Sequence, residues 1–285
     1  MSSLVIYGNE FSGQIDNGLA PESFKYRFLV EGDSWMDRSA MFHTSLLQSL
    51  APEMDANHES ALFINIAMFG DTMRRMGQSS NSDFVQWINT SFGNWKFDGL
   101  LLSAGGNDFI DAARDPAAGK GILKNLAGQP VPAQGRDCLD AAAVATLVTQ
   151  WLNPNFTALY QVVQSSGLKN MPIFLNSYDT PTARDAPVFK GGRSWLCESY
   201  TKNQIPPALW PDLTDAIFKA VIATVDGWAA GRNNVHVVPT TGTLIAARPG
   251  TTESNGDWLN EIHPNQAGWK KIARVWRTSI KQVFP

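Results

Sequence analysis

Two short segments at opposite ends of the chain carry residues that could act together in catalysis. Ser34 lies in the sequence EGDSW, directly after an apolar run, and His263 lies in the sequence NEIHP near the C-terminus. A serine hydroxyl becomes an effective nucleophile when a histidine accepts its proton. Because most of the chain separates the two residues, they can react together only if the fold joins their segments.

Two further segments carry groups that could stabilise a developing negative charge. Gly70 lies in NIAMFGDT, and a glycine lets the backbone approach a reacting carbonyl closely. Asn107 lies in GGND, and its side-chain amide offers an N–H donor. Each pattern also has an ordinary structural explanation: serine is a common helix N-cap, and glycine and asparagine are common in turns.

Five short apolar runs predict buried parallel strands that would position these segments. The runs are Tyr26 to Val30, Ala61 to Ala67, Gly99 to Leu102, Pro172 to Asn176 and Val235 to Val238. Longer segments with helical spacing separate them, which favours a parallel sheet with helices on both faces. We predict a single domain over residues 1–285, with residues 1–24 as an N-terminal extension.

Two long stretches rich in Pro, Gly and Arg follow the third and fourth predicted strands, over residues 108–137 and 179–212. Ligands of open parallel sheets bind outside the carboxyl ends of the strands, so we expect both stretches to border a substrate pocket. The alternative is that they are surface loops without a role.

Two helix boundaries are also readable. Apolar residues recur at helical spacing after Asn265, a candidate N-cap, and predict a C-terminal helix that starts just beyond His263. The pair Asn153-Pro154 is typical of an N-cap followed by proline in the first turn, and predicts that residues 140–166 form two separate helices.

In their order along the chain, the four motif segments resemble the blocks of the GDSL, or SGNH, hydrolase family, which contribute Ser, Gly, Asn and His. The matching residues are Ser34, Gly70, Asn107 and His263, and the resemblance spans residues 28–269. It implies a three-layer α/β/α fold of flavodoxin-like type, here with a five-stranded parallel sheet. It also implies ester hydrolysis, in which His263 removes the Ser34 proton and an acyl-enzyme forms on Ser34. The implied oxyanion hole comprises the backbone N–H groups of Ser34 and Gly70 and the side chain of Asn107.

Two residues depart from the family pattern. Trp35 follows the nucleophile where Leu is usual, and a buried apolar ring can take the same packing role. Asn260 stands three residues before the histidine, where the family usually has Asp. An Asn carbonyl can accept the histidine Nδ1–H but carries no full charge. Nearby carboxylates belong to Asp257 and Glu261, and we expect Asp257 to be the better substitute, with Asn260 as the other candidate.

The chain has ten tryptophans, and Trp35, Trp195, Trp210 and Trp258 fall in or near segments that we place around the site. Aromatic faces can stack on a sugar ring or an acyl chain, which makes Trp35 and Trp258 the candidate substrate-binding residues. The alternative is that these rings pack the core and its rim.

Composition and motifs exclude several function classes. The formal net charge is -3, from 23 basic and 26 acidic side chains without a basic run, which argues against a nucleic-acid partner. His43, His58 and His236 have no partner at metal-ligand spacing, and no phosphate-binding loop motif occurs, so we expect neither a metal nor another cofactor.

The N-terminus lacks the pattern of a signal peptide, and no uncharged apolar stretch approaches the roughly 20 residues of a membrane span. We expect a cytoplasmic or otherwise soluble protein. The two cysteines, Cys138 and Cys197, leave open a disulfide or two free thiols.

We expect an esterase whose partner is a small-molecule ester: a small acyl ester, an acetylated sugar or a lysophospholipid. Two alternatives use the same site. One is an acyltransferase, with an alcohol in place of water, and the other is a catalytically weak ligand-binding module, suggested by Asn260. A flavodoxin-like nucleotide binder would need a phosphate-cradling loop after the first strand, which this sequence lacks.

Overall fold

The computed structural model describes residues 1–37, 45–78, 82–90, 92–116, 121–189 and 191–285. Within these residues six strands form one parallel sheet, in the order β1-β3-β2-β4-β5-β6. The strands are β1 (Leu4–Tyr7), β2 (Tyr26–Gly32), β3 (Ala61–Asn65), β4 (Gly99–Ser103), β5 (Ile173–Asn176) and β6 (Val235–Val238). The five strands expected from the sequence have the flavodoxin-type order, and β1 extends the sheet beyond β3.

The prediction of five strands was therefore wrong by one. The missing strand, β1, lies in the N-terminal extension and pairs in parallel with β3, with Leu4 opposite Leu62 and Tyr7 opposite Asn65. It is an edge strand of only four residues, and three of them are partly exposed. Such a short run carries little signal, because a completely buried strand needs apolar side chains on both faces and an edge strand does not.

Helices cover both faces of the sheet, as expected for a three-layer α/β/α fold. On one face α2 packs along α10, and on the other α9 contacts α5 and α7. The helices are α1 (Phe11–Asp16), α2 (Leu46–Asp55), α3 (Met73–Met76), α4 (Ser82–Asn89), α5 (Gly106–Arg114), α6 (Ala141–Thr146), α7 (Asn153–Gln164), α8 (Leu196–Lys202), α9 (Trp210–Ala229) and α10 (Gln266–Val283). The central strands β3 and β4 are buried at every residue, which explains their uninterrupted apolar sequences.

The predicted break before Pro154 is absent from the structure. A π-helical turn, Leu147–Leu152, joins α6 to α7, so residues 141–164 form one continuous helical segment. A proline inside a regular α-helix loses one hydrogen bond and clashes with the preceding turn. The wider π-helical turn directly before α7 lets the chain accommodate Pro154 without ending the helix.

Both long stretches contain more regular structure than expected. Residues 106–114 belong to α5, and α8 and the start of α9 lie within residues 179–212. The C-terminal helix is as predicted: Asn265 accepts a hydrogen bond from the Gly268 N–H at 3.0 Å, and the apolar face of α10 is buried. Because α10 begins at Gln266, it fixes the segment that carries His263.

Within the described ranges, no helix is long and apolar enough to cross a membrane. Cys138 and Cys197 are both free thiols.

Candidate active site

Ser34 lies at the switch point of the sheet, where the connections that follow β2 and β4 run to opposite sides. After β2 the chain leads to β3, on one side of β2, whereas β4 lies on the other side and leads on to β5. Such a switch point leaves a crevice at the carboxyl ends of the two strands. Ser34 follows β2 by two residues and Asn107 lies in the first turn of α5 after β4, so both residues border this crevice.

The fold brings Ser34 and His263 together. The Ser34 Oγ lies 2.8 Å from His263 Nε2. Ser34 sits in a turn closed by the backbone N–H groups of Met36 and Asp37, which both donate to the Asp33 carbonyl at 3.0 Å. We call residues 33–37 the nucleophile turn. The next described helix, α2, begins at Leu46, and residues 38–44, including His43, lie outside the described residues.

Asn260 fixes the orientation and the tautomer of His263. Its Oδ1 accepts the backbone N–H groups of Ile262 and His263, at 3.1 and 2.9 Å, and lies 3.0 Å from His263 Nδ1. Rotating the amide by half a turn would direct its NH₂ group at two N–H donors, so the oxygen must face the ring. Nδ1 therefore carries the hydrogen, and Nε2 is left free to accept the proton of Ser34.

His263 is buried, and burial lowers its pKa to about 4 because the imidazolium loses its hydration. The rings of Phe69 and Trp195 pack beside it, with centroids 6.3 and 5.6 Å from the imidazole. The imidazole is therefore neutral at physiological pH, which is the form that can act as a base.

Asp257, which we expected to be the acid partner, is engaged elsewhere. Its carboxylate accepts the backbone N–H of Ile245 at 2.6 Å and pairs with Lys271 at 2.5 Å. The geometry thus places Asn260, and not Asp257, against Nδ1 of His263. Sequence reasoning could not separate the two residues, because both lie within one short loop before the histidine.

Glu261 also points away from the imidazole. Its carboxylate accepts four backbone N–H groups: those of Arg184, Trp195, Leu196 and Cys197. Burial raises its pKa to about 7, while these hydrogen bonds act in the opposite direction. Glu261 therefore joins the N-terminus of α8 to the loop that carries His263.

A buried polar network supports the nucleophile turn and was not expected from the sequence. The Asp33 carboxylate accepts the Tyr178 hydroxyl at 2.5 Å, the Ser103 hydroxyl at 2.9 Å and the Trp35 N–H at 3.0 Å. Burial raises the pKa of Asp33 to about 6. Tyr178 has a left-handed backbone, with φ of 61°. The available signal was the polar run Asn176 to Asp179 at the end of a predicted strand.

The proposed oxyanion-hole residues are only partly assembled. Asn107 and Ser34 line a common cavity of about 20 Å³, room for roughly one water molecule. The Asn107 amide donates to the Asp71 carbonyl at 2.9 Å. Gly70 lies in a turn with φ of 71°, and it is not among the described residues that line this cavity.

The candidate tryptophans have mainly packing roles. Trp35 and Trp258 both line the cavity beside Ser34, but they are only 5% and 1% exposed. Trp35 donates from its indole N–H to the Ile262 carbonyl at 3.3 Å and therefore braces the histidine loop. Trp195 packs edge-on against His263, whereas Trp210 packs against Tyr200 at the start of α9.

The two other described histidines, His58 and His236, give no support for a second centre. His58 lies in the turn after α2, and His236 lies in β6 beside Phe174. Among the described residues, no group of three or more His, Cys, Asp and Glu side chains could hold a metal ion.

Comparison with known proteins yields similar structures but no matching sequence. No protein-family model and no curated sequence matches the chain. A family 3 carbohydrate esterase of Clostridium thermocellum is 14% identical, with 90% of this chain and 96% of that chain covered and a TM-score of 0.49. A catalytic mutant of an acetylxylan esterase from Geobacillus stearothermophilus is 13% identical, with 90% and 94% covered and a TM-score of 0.48.

An esterase of a Pseudoalteromonas species is 16% identical, with 90% of this chain and 98% of that chain covered and a TM-score of 0.43. Identities and TM-scores this low transfer neither residue roles nor substrates to this chain. The resemblance to the SGNH hydrolases therefore rests on the four sequence blocks and on the order of the strands.

Proposed function

We propose that the protein is a serine esterase of the SGNH type. The observation that carries this proposal is the hydrogen-bonded series Ser34 Oγ, His263 Nε2, His263 Nδ1 and Asn260 Oδ1, with separations of 2.8 and 3.0 Å. A nucleophile, a neutral base and an orienting acceptor in this geometry are the parts that acyl transfer requires.

In the proposed reaction, Ser34 Oγ attacks the acyl carbon while its proton passes to His263 Nε2. The tetrahedral intermediate then collapses, the bond to the alcohol breaks, and Nε2 gives its proton to the departing alkoxide. Water then attacks the Ser34 ester while Nε2 takes one of its protons. When this second intermediate collapses, Nε2 returns the proton to Ser34 Oγ and the acid is released. Asn260 keeps the Nδ1 hydrogen in place throughout both steps.

The backbone N–H groups of Ser34 and Gly70 and the Asn107 amide would stabilise the oxyanion. The Asn107 NH₂ group has two hydrogens, so it can donate one to the substrate while the other stays bonded to the Asp71 carbonyl. One such donor typically contributes about 2.7 to 4 kcal/mol to the transition state.

The small cavity beside Ser34 favours a small acyl group. As the described residues bound it, this cavity measures about 20 Å³ and is walled by Trp35, Tyr178 and Trp258, and this volume is too small for a fatty acyl chain. Rotation of such packed rings would require repacking of the core. Of the ester classes considered above, this volume favours acetyl-sized groups over the long chain of a lysophospholipid.

A direct test compares the wild type with Ser34→Ala on p-nitrophenyl acetate and with a fluorophosphonate probe that labels activated serines. We expect the wild type to turn over the ester and to be labelled. The variant should lose at least about 10³-fold in kcat/KM and all labelling. Ser49→Ala on α2 is the matched control. Equal rates for Ser34→Ala and wild type would refute the serine mechanism, and an inert wild type would favour a ligand-binding module.

A further inference from the structure

A large groove lies beside the candidate active site, on the part of the sheet that β1 adds. It has a volume of about 730 Å³ and is formed at the carboxyl ends of β1 and β3, between α1 and α4. This volume falls within the range of roughly 300 to 1,000 Å³ that is usual for ligand sites. We call it the β1 groove. It is far larger than the cavity of about 20 Å³ beside Ser34.

The β1 groove is joined directly to the nucleophile turn. Tyr7, at the end of β1, donates its hydroxyl to Asp37 at 3.1 Å, and Asn65, at the end of β3, donates its amide to the Met36 carbonyl at 3.0 Å. Both Tyr7 and Asn65 line the groove. The carboxyl end of β1 lies two strands away from that of β2, or about 10 Å at the usual strand spacing. A ligand of a few rings could therefore reach from the groove to Ser34.

The segment Met68-Phe69 connects the groove to His263. Met68 lines the groove, and its backbone N–H donates to the Gly32 carbonyl at 3.0 Å. The next residue, Phe69, is 47% exposed and stacks on the His263 ring. The same short segment therefore borders the groove and the catalytic base.

The groove offers hydrogen bonds but very little charge. Its polar side chains include Asn9, Ser12, Gln86 and Thr90, all exposed. Asp83 is the one charged residue among the described residues that line it, and this lining contains neither lysine nor arginine. A phosphate or carboxylate ligand would need a cation here, so the chemistry favours a neutral ligand with many hydroxyl groups.

An aromatic wall completes the groove. Phe11, Trp87 and Phe92 line it. Trp87 stacks on Phe92 with ring centroids 5.5 Å apart, and Phe11 packs edge-on against Trp87 at 5.3 Å. This cluster holds the partly exposed Trp87 in place. Aromatic faces beside amide and hydroxyl groups suit a pyranose, which has apolar C–H faces and a polar rim.

We propose that the β1 groove binds the alcohol part of the substrate and that this part is a neutral sugar chain. The inference rests on the proposed esterase function, because the groove would bind the alcohol part of an ester whose acyl part lies at Ser34. The protein would then remove small acyl groups from an oligosaccharide, and residues of β1, α1 and α4 would determine its preference for sugar esters.

The test compares two substrates in each protein. Acetylated neutral tetrasaccharides built from glucose, xylose, mannose or galactose engage the groove, whereas p-nitrophenyl acetate does not require it. We expect the wild type to prefer at least one acetylated tetrasaccharide, by kcat/KM. The ratio of that kcat/KM to the value for p-nitrophenyl acetate should fall about tenfold in the double variant Asn9→Ala/Gln86→Ala, which removes two exposed amides.

Gln14→Ala, in α1 but outside the groove lining, is the matched control and should leave the ratio unchanged. A ratio that is equal in wild type and double variant overturns the inference, while activity on p-nitrophenyl acetate would still uphold the esterase. Calorimetric titration of the deacetylated tetrasaccharides into Ser34→Ala tests the groove without catalysis. Absence of binding, or binding that the double variant retains in full, also overturns it.

Discussion

At the residue scale, the neutral partner of His263 is the most unusual feature of the site. Asn260 orients the ring as an aspartate would, but it adds no negative charge to stabilise the imidazolium. Together with burial, this explains why the pKa of His263 lies at about 4. A base with such a low pKa keeps its active form in acid but drives proton transfer less strongly than one that titrates near neutrality.

The first prediction concerns Asn260→Asp. A carboxylate 3.0 Å from Nδ1 should raise the pKa of His263 by about 1 to 3 units. It also removes the Asn260 NH₂ group, which is buried without a hydrogen-bond partner among the described residues. The acid limb of kcat/KM against pH should lie near pH 4 in the wild type and move upwards in the variant. An unchanged limb would mean that His263 is not the group that titrates.

The second prediction separates Asn260 from Asp257. Asn260→Ala frees the imidazole to rotate, and we expect kcat to fall about 10²-fold. Asp257→Asn breaks the ion pair with Lys271, so we expect a lower melting temperature but a kcat within about threefold of wild type. Circular dichroism and initial rates on p-nitrophenyl acetate measure both effects. A larger loss of kcat in Asp257→Asn than in Asn260→Ala would show that Asp257, and not Asn260, supports His263.

The sequence could predict that candidate-site residues in local motifs lie close together. Ser34, Asn107 and His263 each follow a readable strand or precede a readable helix, so the fold class alone places them at the same edge of the sheet. The contact between Asp33 and Tyr178 joins residues 145 positions apart and leaves no local pattern. The choice between Asn260 and Asp257 depends on side-chain direction, which is set by Lys271 on α10 and by backbone packing.

At the element scale, the four central strands and α10 were predictable because burial on both faces, or on one helical stripe, imposes an apolar pattern. The edge strand β6 was also predicted, from the apolar run Val235 to Val238. The other edge strand, β1, was missed: three of its four residues are partly exposed, and it is supported mainly by backbone pairing with β3. The same strand forms one wall of the β1 groove. The part of the molecule that we assign to sugar binding is thus the part that the sequence pattern concealed.

The close approach of β2 to β4 gives the third prediction. Gly32, the residue before the nucleophile turn, has φ of 150°, and a Cβ there would lie 2.7 Å from the Ser103 carbonyl oxygen. Gly32→Ala should therefore destabilise the protein by about 1 to 3 kcal/mol and lower kcat, because the turn that carries Ser34 must shift. Urea unfolding and ester hydrolysis measure the two effects.

Gly227→Ala is the matched control for this substitution. Gly227 lies within α9, and a Cβ there has no neighbour within 4 Å. Alanine is the better helix former, so this variant should gain about 0.5 to 1 kcal/mol. If Gly32→Ala were as stable and as active as Gly227→Ala, the close contact between β2 and β4 at Gly32 would not be required.

At the scale of the whole molecule, burial acts strongly on three carboxyl groups whose main partners are not cations. Asp33, Asp108 and Glu261 accept hydrogen bonds chiefly from backbone N–H groups and hydroxyls. Burial raises their pKa values to about 6, 7 and 7. Each group binds its proton more tightly in the folded than in the unfolded protein, so its stabilising contribution is complete below the unfolded pKa and is lost as the pH rises through the folded one.

The fourth prediction follows from this linkage. His263 acts in the opposite direction, since its lowered pKa adds stability as the pH rises from about 4 to the usual value of 6.5. His236, whose pKa is also lowered by burial, acts in the same direction as His263. The three carboxyl groups outnumber these two imidazoles, and above pH 6.5 Asp108 and Glu261 still lose protons. We therefore expect the free energy of unfolding, measured with urea, to fall as the pH rises from about 5 to about 8.

Asp108→Asn should make this fall shallower by about 2 kcal/mol, because it removes one titrating group while retaining an acceptor for the Met73 N–H. Asp215→Asn, a substitution of an exposed carboxylate on α9, is the control and should leave the slope unchanged. A stability that rises steadily from pH 5 to 8 in the wild type would show that these carboxyls are ionised in the folded protein, held by their hydrogen bonds. The Asp33 network beneath Ser34 would then carry a fixed negative charge at every pH at which the enzyme works.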